Sequence, residues 1–296
     1  MKQVKLSYSS MRDITACEQK YFYRKIAEVP KDADVEESEA LGVGKAFHEY
    51  LEDVLHGETF SAATFETAIC EKAELHNVRP DAPLIAAMAL CYMRLHKASG
   101  LKVVKCEQAV ETDKFIGYID VILKDDVGGW WIGDLKTAAK FDDKKVAQLP
   151  KDQQLNLYSY FAQQIAPFFD LDPAKFRGCR YRVTTKTKSQ LKVGESIAEF
   201  ANRMCEKEAV LAYDSIIPVE IMDIEATWKH FTVVQDRAVA LNNGEAPTKN
   251  LDNCMSYFKP CQFWSQCHGK CFTEMTAKPD VRVMTVESYK DAEDML

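Results

Sequence analysis

No run of about 18 consecutive apolar residues occurs in this 296-residue chain, so no transmembrane helix is expected. The opening Met1-Lys2-Gln3-Val4-Lys5 lacks the apolar segment of a secretory signal. Without an export signal, a disulfide framework is not expected and a cytoplasmic location is. Internal repeats, low-complexity tracts and a clear linker are also missing. A phosphate-binding loop is absent: Gly42-Val43-Gly44-Lys45 has Glu39 where the first glycine should stand, and Ala46 replaces Ser or Thr. No ATP-driven motor is therefore encoded. An excess of basic charge is lacking as well. The net charge is −7, from 38 basic and 45 acidic residues, which argues against a protein wrapped in nucleic acid.

What is present is an ordinary globule, 47% hydrophobic and 28% charged, long enough to bury a sizeable core. One domain is expected over residues 1–271, followed by an acidic, mobile tail at 272–296. Helical spacing predicts helices over 6–26, 39–56, 59–77 and 82–98. Ser7 or Ser9 would cap the first. After Gly100 the texture becomes β-rich. Strands are expected over 101–109, 114–123 and 130–135, with Gly128-Gly129 turning the second into the third. A helix at 152–166, a strand at 177–185 and helices at 193–214 and 222–242 complete an α/β reading.

The chemistry concentrates on Asp120, Asp134 and Lys136. Asp120 interrupts an apolar strand, and Asp134 ends the next one. Two carboxylates at matching depth on neighbouring strands can share a hard cation. Lys136 lies two residues beyond Asp134, on the same face of its strand. There it could orient or deprotonate a water and offset phosphate charge. His48 follows Phe47 on an amphipathic helix. Gln154 and Tyr158 stand four residues apart on one helical face.

The order Gly44 to His48, Gly117-Tyr118-Ile119-Asp120, Asp134-Leu135-Lys136 and Gln154 to Tyr158 resembles the RecB-like branch of the PD-(D/E)XK nuclease superfamily. The resemblance runs from about residue 6 to 271 and is strongest to phage-encoded and CRISPR-associated exonucleases. It implies a restriction-endonuclease-like core, a mixed sheet flanked by helices with helical additions at both ends. It implies a magnesium- or manganese-dependent deoxyribonuclease, probing DNA ends or single strands in recombination, repair or phage DNA metabolism. His48, Asp120, Asp134 and the Leu135 carbonyl would be metal ligands. Lys136 would assist the water, and Gln154 and Tyr158 would position the strand. A separate helicase or recombination protein is the partner such a motorless chain would need. The rival from another class is a non-catalytic DNA-end-binding or adaptor protein stapled by a metal site.

Of ten cysteines, four fall within eighteen residues: Cys254, Cys261, Cys267 and Cys271. Clustering of this kind inside a cell points to metal. The resemblance implies a 4Fe-4S cluster on Cys17, Cys254, Cys261 and Cys267, although the family often has two residues between the first two C-terminal cysteines and this chain has six. Cys271 is a spare that could replace Cys254 or Cys17. The alternative is a local zinc site of Cys254, Cys261, Cys267 and Cys271, or with His268 in place of one. The remaining cysteines read as small buried hydrophobes.

Arg180, Arg182, Lys186 and Lys188, with Arg177 nearby, fall on or after the fourth strand and form a candidate phosphate track. Lys20, Arg24 and Lys25 on the first helix form a weaker one. Trp130 and Trp131 are expected to pack in the core and at its edge. The tail and the loop 29–38 each carry a net charge of −3, so the remainder is close to neutral. A locally basic groove on an acidic protein is therefore expected.

Overall fold

The computed structural model describes residues 4–32, 39–57, 62–256 and 259–269; Cys271 and the acidic tail lie outside them. The chain forms two compact units. One comprises Met1–Thr15 and Glu37–Glu245, the other Ala16–Glu36 and Ala246–Leu296. Among the described residues, no helix is long and apolar enough to cross a membrane.

Helix α1 spans Tyr8–Ala16 and is capped by Ser7, whose Oγ accepts the Ser10 N–H at 3.2 Å. The helix expected over 6–26 is not continuous. Cys17 is extended (φ −168°, ψ 112°), and the chain restarts as α2 (Glu18–Tyr21) before a π-helical turn, Phe22–Ile26. Next come α3 (Glu39–Leu55), α4 (Ala62–Leu75) and α5 (Ala82–Ser99). Pro83 sits in the first turn of α5, where its missing N–H is harmless, and Gly100 ends that helix with a left-handed φ of 66°.

Strands β1 (Lys102–Glu111), β2 (Ile116–Lys124) and β3 (Trp130–Ala138) form the expected antiparallel meander. Its second turn is held by Asp125, whose Oδ1 accepts the Gly129 N–H at 2.7 Å, while Gly128 takes φ 86°. After the short α6 (Asp143–Val146), α7 (Gln153–Ile165) crosses over to β4 (Phe176–Thr185), which runs parallel to β3. Helix α8 (Ile197–Glu206) opens with a complete Ser196–Glu199 capping box. It is shorter than the helix read over 193–214. Residues Ala212–Pro218 are instead a fifth strand, β5, antiparallel to β4. The mixed sheet runs in the order β1-β2-β3-β4-β5. Helix α9 (Ile224–Asn242) completes this unit.

Two apolar groups fix the helices. Phe47, Leu51, Met88, Tyr92 and Phe200 of α3, α5 and α8 pack with Cys106, Val121, Leu123 and Leu135 of the sheet. Full burial of each large side chain contributes about 1.5–3 kcal/mol. Elsewhere Phe115 stacks on Phe161 of α7 at 4.3 Å and meets Phe231 of α9 edge-on. Trp130 is fully buried, as expected, and donates its indole N–H to Asp172 O at 2.8 Å. Cys91 of α5 and Cys205 of α8 are joined as a disulfide, which the sequence reading did not anticipate. Cys106 and Cys179 are buried, as expected.

The strand-borne arginines correct the expected phosphate track. Arg182 is only 1% exposed. Its Nε and Nη2 reach Asp214 of β5 at 3.2 and 3.1 Å, and its Nη1 donates to Tyr92 Oη at 3.2 Å. His96 Nδ1 is 3.1 Å from the same nitrogen. Burial, then Arg182, lowers the His96 pKa, so a neutral ring accepts that bond. Arg180 donates to Asp214 at 2.7 Å and covers the Trp131 ring. Register explains the pairing: Arg182 and Asp214 stand opposite one another on β4 and β5. Past the end of β4, Lys186 is half-buried and Lys188 is exposed. Replacing Asp214 by Ala leaves a buried guanidinium without its counter-charge, so urea denaturation should show a loss of about 3–5 kcal/mol.

The second unit contains Cys17, α2 and the π-helical turn, then the paired strands β6 (Met255–Ser256) and β7 (Lys259–Pro260), then α10 (Trp264–His268). Its two chain segments are stitched at several points. Gln19 N–H donates to Thr248 O at 3.0 Å, and Thr248 N–H and Oγ1 both donate to Glu18 at 2.8 Å. The Tyr23 hydroxyl donates to Gln266 O, and Ser265 donates to the Asp32 carboxylate.

Candidate active site

The site forms where β2 and β3 part. Their ladder ends with Val121 paired to Gly133, and Asp120 and Asp134 are the next residue of each strand beyond it. On the other side, β1 pairs Cys106 with Val121 and Gln108 with Ile119, which sets Glu107 opposite Asp120. Three carboxylates, Glu107, Asp120 and Asp134, therefore form a row across three adjacent strands. Like charges directly opposite one another destabilise a sheet.

Each is held differently. Asp120 Oδ2 accepts the Leu135 N–H at 2.6 Å, locking β2 to β3 at this point. Lys136 Nζ donates to Asp134 Oδ1 at 2.7 Å, whereas Asp134 Oδ2 is buried with no protein partner. Glu107 takes a left-handed φ of 43°, a strained conformation for a non-glycine residue. His48 comes from α3, and its ring hydrogen-bonds to the Leu135 backbone. One ligand atom from each of His48, Glu107 and Asp120 lies within 4.8 Å of the others.

Helix α7 supplies the next layer. Asp152 caps it, accepting the Gln154 and Leu155 N–H groups at 2.9 and 3.2 Å. Gln154 and Tyr158 hydrogen-bond one another, and Tyr158 feels both Asp120 and Asp134. Gly117 is required where α7 comes close. A Cβ there would sit 2.7 Å from Phe115 Cζ and 3.0 Å from Tyr158 Cε1. His48, Asp120 and Lys136 open onto a cavity of about 910 Å³, with Glu49, Glu52 and Glu107 among its acidic lining and Lys45 and Lys186 among its basic lining.

Burial dominates the electrostatics. It pushes Asp134 up to about 6, with Asp120 adding to the rise and Lys136 opposing it. Asp120 is raised by the same burial, against the pull of Lys136 and the Leu135 N–H. Glu107 is pushed up to about 7 by burial, then by Asp120 and Glu52. Burial alone would lower Lys136, but Asp134 and Asp120 prevail and hold it above the usual lysine range. Burial, then Lys136, takes His48 down to about 4, so its imidazole is neutral and offers a lone pair. A neutral imidazole, hard carboxylate oxygens and a backbone carbonyl suit magnesium or manganese. The unpartnered Asp134 oxygen adds to that fit.

The sequence-predicted His48, Asp120, Asp134, Leu135, Lys136, Gln154 and Tyr158 are thus brought together. Glu107 was not anticipated. Its signal was the register, which sets a second carboxylate against Asp120. Lys186 lines the cavity and donates to Ala40 O at 3.0 Å; Lys188 lines a second cleft with Asp81 and Ser189.

A mixed sheet carrying carboxylates on neighbouring strands, a lysine two residues on and a helix-borne histidine defines a class, the metal-assisted phosphodiester hydrolases. The chain belongs to the PD-(D/E)XK nuclease superfamily, whose family model matches residues 5–268. Nucleases of this superfamily use divalent metals and act on DNA. No curated protein matches the chain.

In the second unit, Cys17, Cys254, Cys261 and Cys267 come near one another. Cys254 is raised by burial, then by Cys261 and Cys17; Cys267 feels all three of the others. The Asn250 N–H donates to Cys17 Sγ at 3.5 Å, and Lys249 Nζ donates to Cys267 O at 3.3 Å.

The raised carboxylates set a pH signature. Glu107 and Asp134 hold protons in the native state that the unfolded chain releases, so their contribution is complete below about 4 and is lost as the pH rises toward 7. His48, depressed to about 4, works the other way below its ordinary value, but two groups oppose one. Metal-free protein should lose stability in urea as the pH rises from about 5 to about 7.5. Saturating magnesium should abolish that loss.

Proposed function

We propose that the chain is a divalent-cation-dependent deoxyribonuclease that degrades DNA from ends or as single strands. Its setting would be recombination, repair or phage DNA metabolism, with a separate helicase or recombination protein supplying any unwinding. The observation that carries this reading is that His48, Asp120 and Lys136 line one open cavity, with the buried Asp134 paired to Lys136.

His48, Asp120, Asp134 and the Leu135 carbonyl would hold the cation. When bound, the cation supplies an activated water and neutralises charge on the phosphate oxygens. The chain's own residues do the rest. Lys136, charged at neutral pH, orients the water and meets the negative charge developing on the phosphate oxygens. Asp134, its partner at 2.7 Å, keeps the ammonium aimed into the cavity. Gln154 and Tyr158, hydrogen-bonded to one another on α7, would position the strand to be cut. Lys186 and Lys188 remain as phosphate contacts, in place of Arg180 and the buried Arg182, both paired with Asp214.

The same proposal includes a 4Fe-4S cluster on Cys17, Cys254, Cys261 and Cys267. What supports it over a local zinc site is that Cys17 joins the three C-terminal thiols, without Cys271 being needed. Four thiolates are the complement such a cluster takes. Its role would be structural, clipping two distant chain segments together.

With magnesium or manganese, wild type should degrade end-labelled linear DNA and spare single-stranded circles. Lys136→Ala should lower the rate at least about 100-fold. Equal absence of cleavage in both proteins would leave a DNA-binding adaptor, and cut circles would replace exonuclease by endonuclease action. Anaerobically purified protein should be brown, absorbing near roughly 400 nm, with the colour lost in Cys261→Ser. Colourless protein with stoichiometric zinc would overturn the cluster.

A further inference from the structure

The carboxylate row is compensated at one end only. Lys136 closes on Asp134 at 2.7 Å, while no hydrogen bond or ion pair to the Glu107 carboxylate is found among the described residues. Glu107 is half-buried, is set opposite Asp120 by the β1–β2 register, and is held in a strained backbone conformation. A carboxylate forced into such a place destabilises the sheet unless something positive joins it. The neutral His48 ring stands on the same side, with one of its nitrogens within 4.8 Å of an oxygen from Glu107 and of one from Asp120.

We propose that Glu107 is a cation ligand, and that the protein takes its first divalent cation on His48, Glu107 and Asp120 while Asp134 is still tied to Lys136. This rests on the metal-dependent reading above and deepens it, because it names a ligand outside the sequence motif and an order of engagement. Asp134 lies outside this trio of ligand atoms, and its Oδ1 stays with Lys136 until that ammonium turns toward substrate phosphate. The Asp134–Lys136 pair is thus kept for the reaction, and the resting cation does not depend on it. Glu52, which lines the same end of the cavity, extends the acidic approach to the seat.

The test needs no DNA. Manganese is titrated calorimetrically into the full-length, metal-free protein, and melting is followed with and without manganese. Glu107→Gln should weaken manganese binding at least about 10-fold, and Asp134→Asn by about 3-fold or less, the range seen when one member of a metal site's ligand shell is altered. At about pH 8, where Glu107 is ionised, metal-free Glu107→Gln should also melt higher than wild type, because an unopposed like charge has been removed, and should gain less from manganese. A residue that merely supported the fold would melt lower. Unchanged manganese affinity in Glu107→Gln, or a larger loss in Asp134→Asn than in Glu107→Gln, would overturn the proposal. Failure of the nuclease reading is seen separately, in the Lys136→Ala comparison on DNA.

Discussion

Three carboxylates side by side on adjacent strands are the constraint around which this fold is arranged. No sheet adopts such a row for stability, since each opposed pair repels and burial worsens the repulsion. Every neighbouring feature answers it. Lys136 meets one end, the Leu135 N–H binds the middle, and a neutral histidine faces the other end. The parting of β2 and β3 beyond Val121 and Gly133 gives the row room, and α7, capped by Asp152, presses Tyr158 up to it. Strain and like charge gathered at one place are what a catalytic site looks like before its cation arrives.

Much of this was legible in the sequence, and the exceptions have physical reasons. The meander, the crossover helix and the first long helices follow from periodicity and turn chemistry, and the structure places them within a few residues. Asp120, Asp134 and Lys136 were legible because charged residues interrupt apolar strands. Strand β5 was not, because Ala212–Pro218 is short and carries Asp214, whose partner lies on another strand. For the same reason Arg180 and Arg182 looked like a surface track: a sequence does not reveal that a basic residue will meet a buried acid. Glu107 escaped because its meaning depends on register, which no local pattern supplies. The break at Cys17 escaped because the helical spacing runs through it.

The two arginines and the four cysteines teach opposite lessons. The arginines looked like ligands for phosphate and are part of the architecture instead, tying β4 to β5 and to α5. Cys17 falls in a stretch whose spacing read as one continuous helix, yet it breaks that helix and stands with three thiols from the other end of the chain. In both cases the local context misled and the long-range partner decided.

That second arrangement has a consequence in time. Cys254 follows Cys17 by 237 residues. At ribosomal rates of 5–20 residues per second, roughly 10–50 s pass between the emergence of the first thiol and its partners. During that interval Cys17 is a solitary thiol on a growing chain, and no four-thiol site can exist. Gathering of the four thiols therefore waits until the C-terminal segment has been made, after the whole Glu37–Glu245 unit.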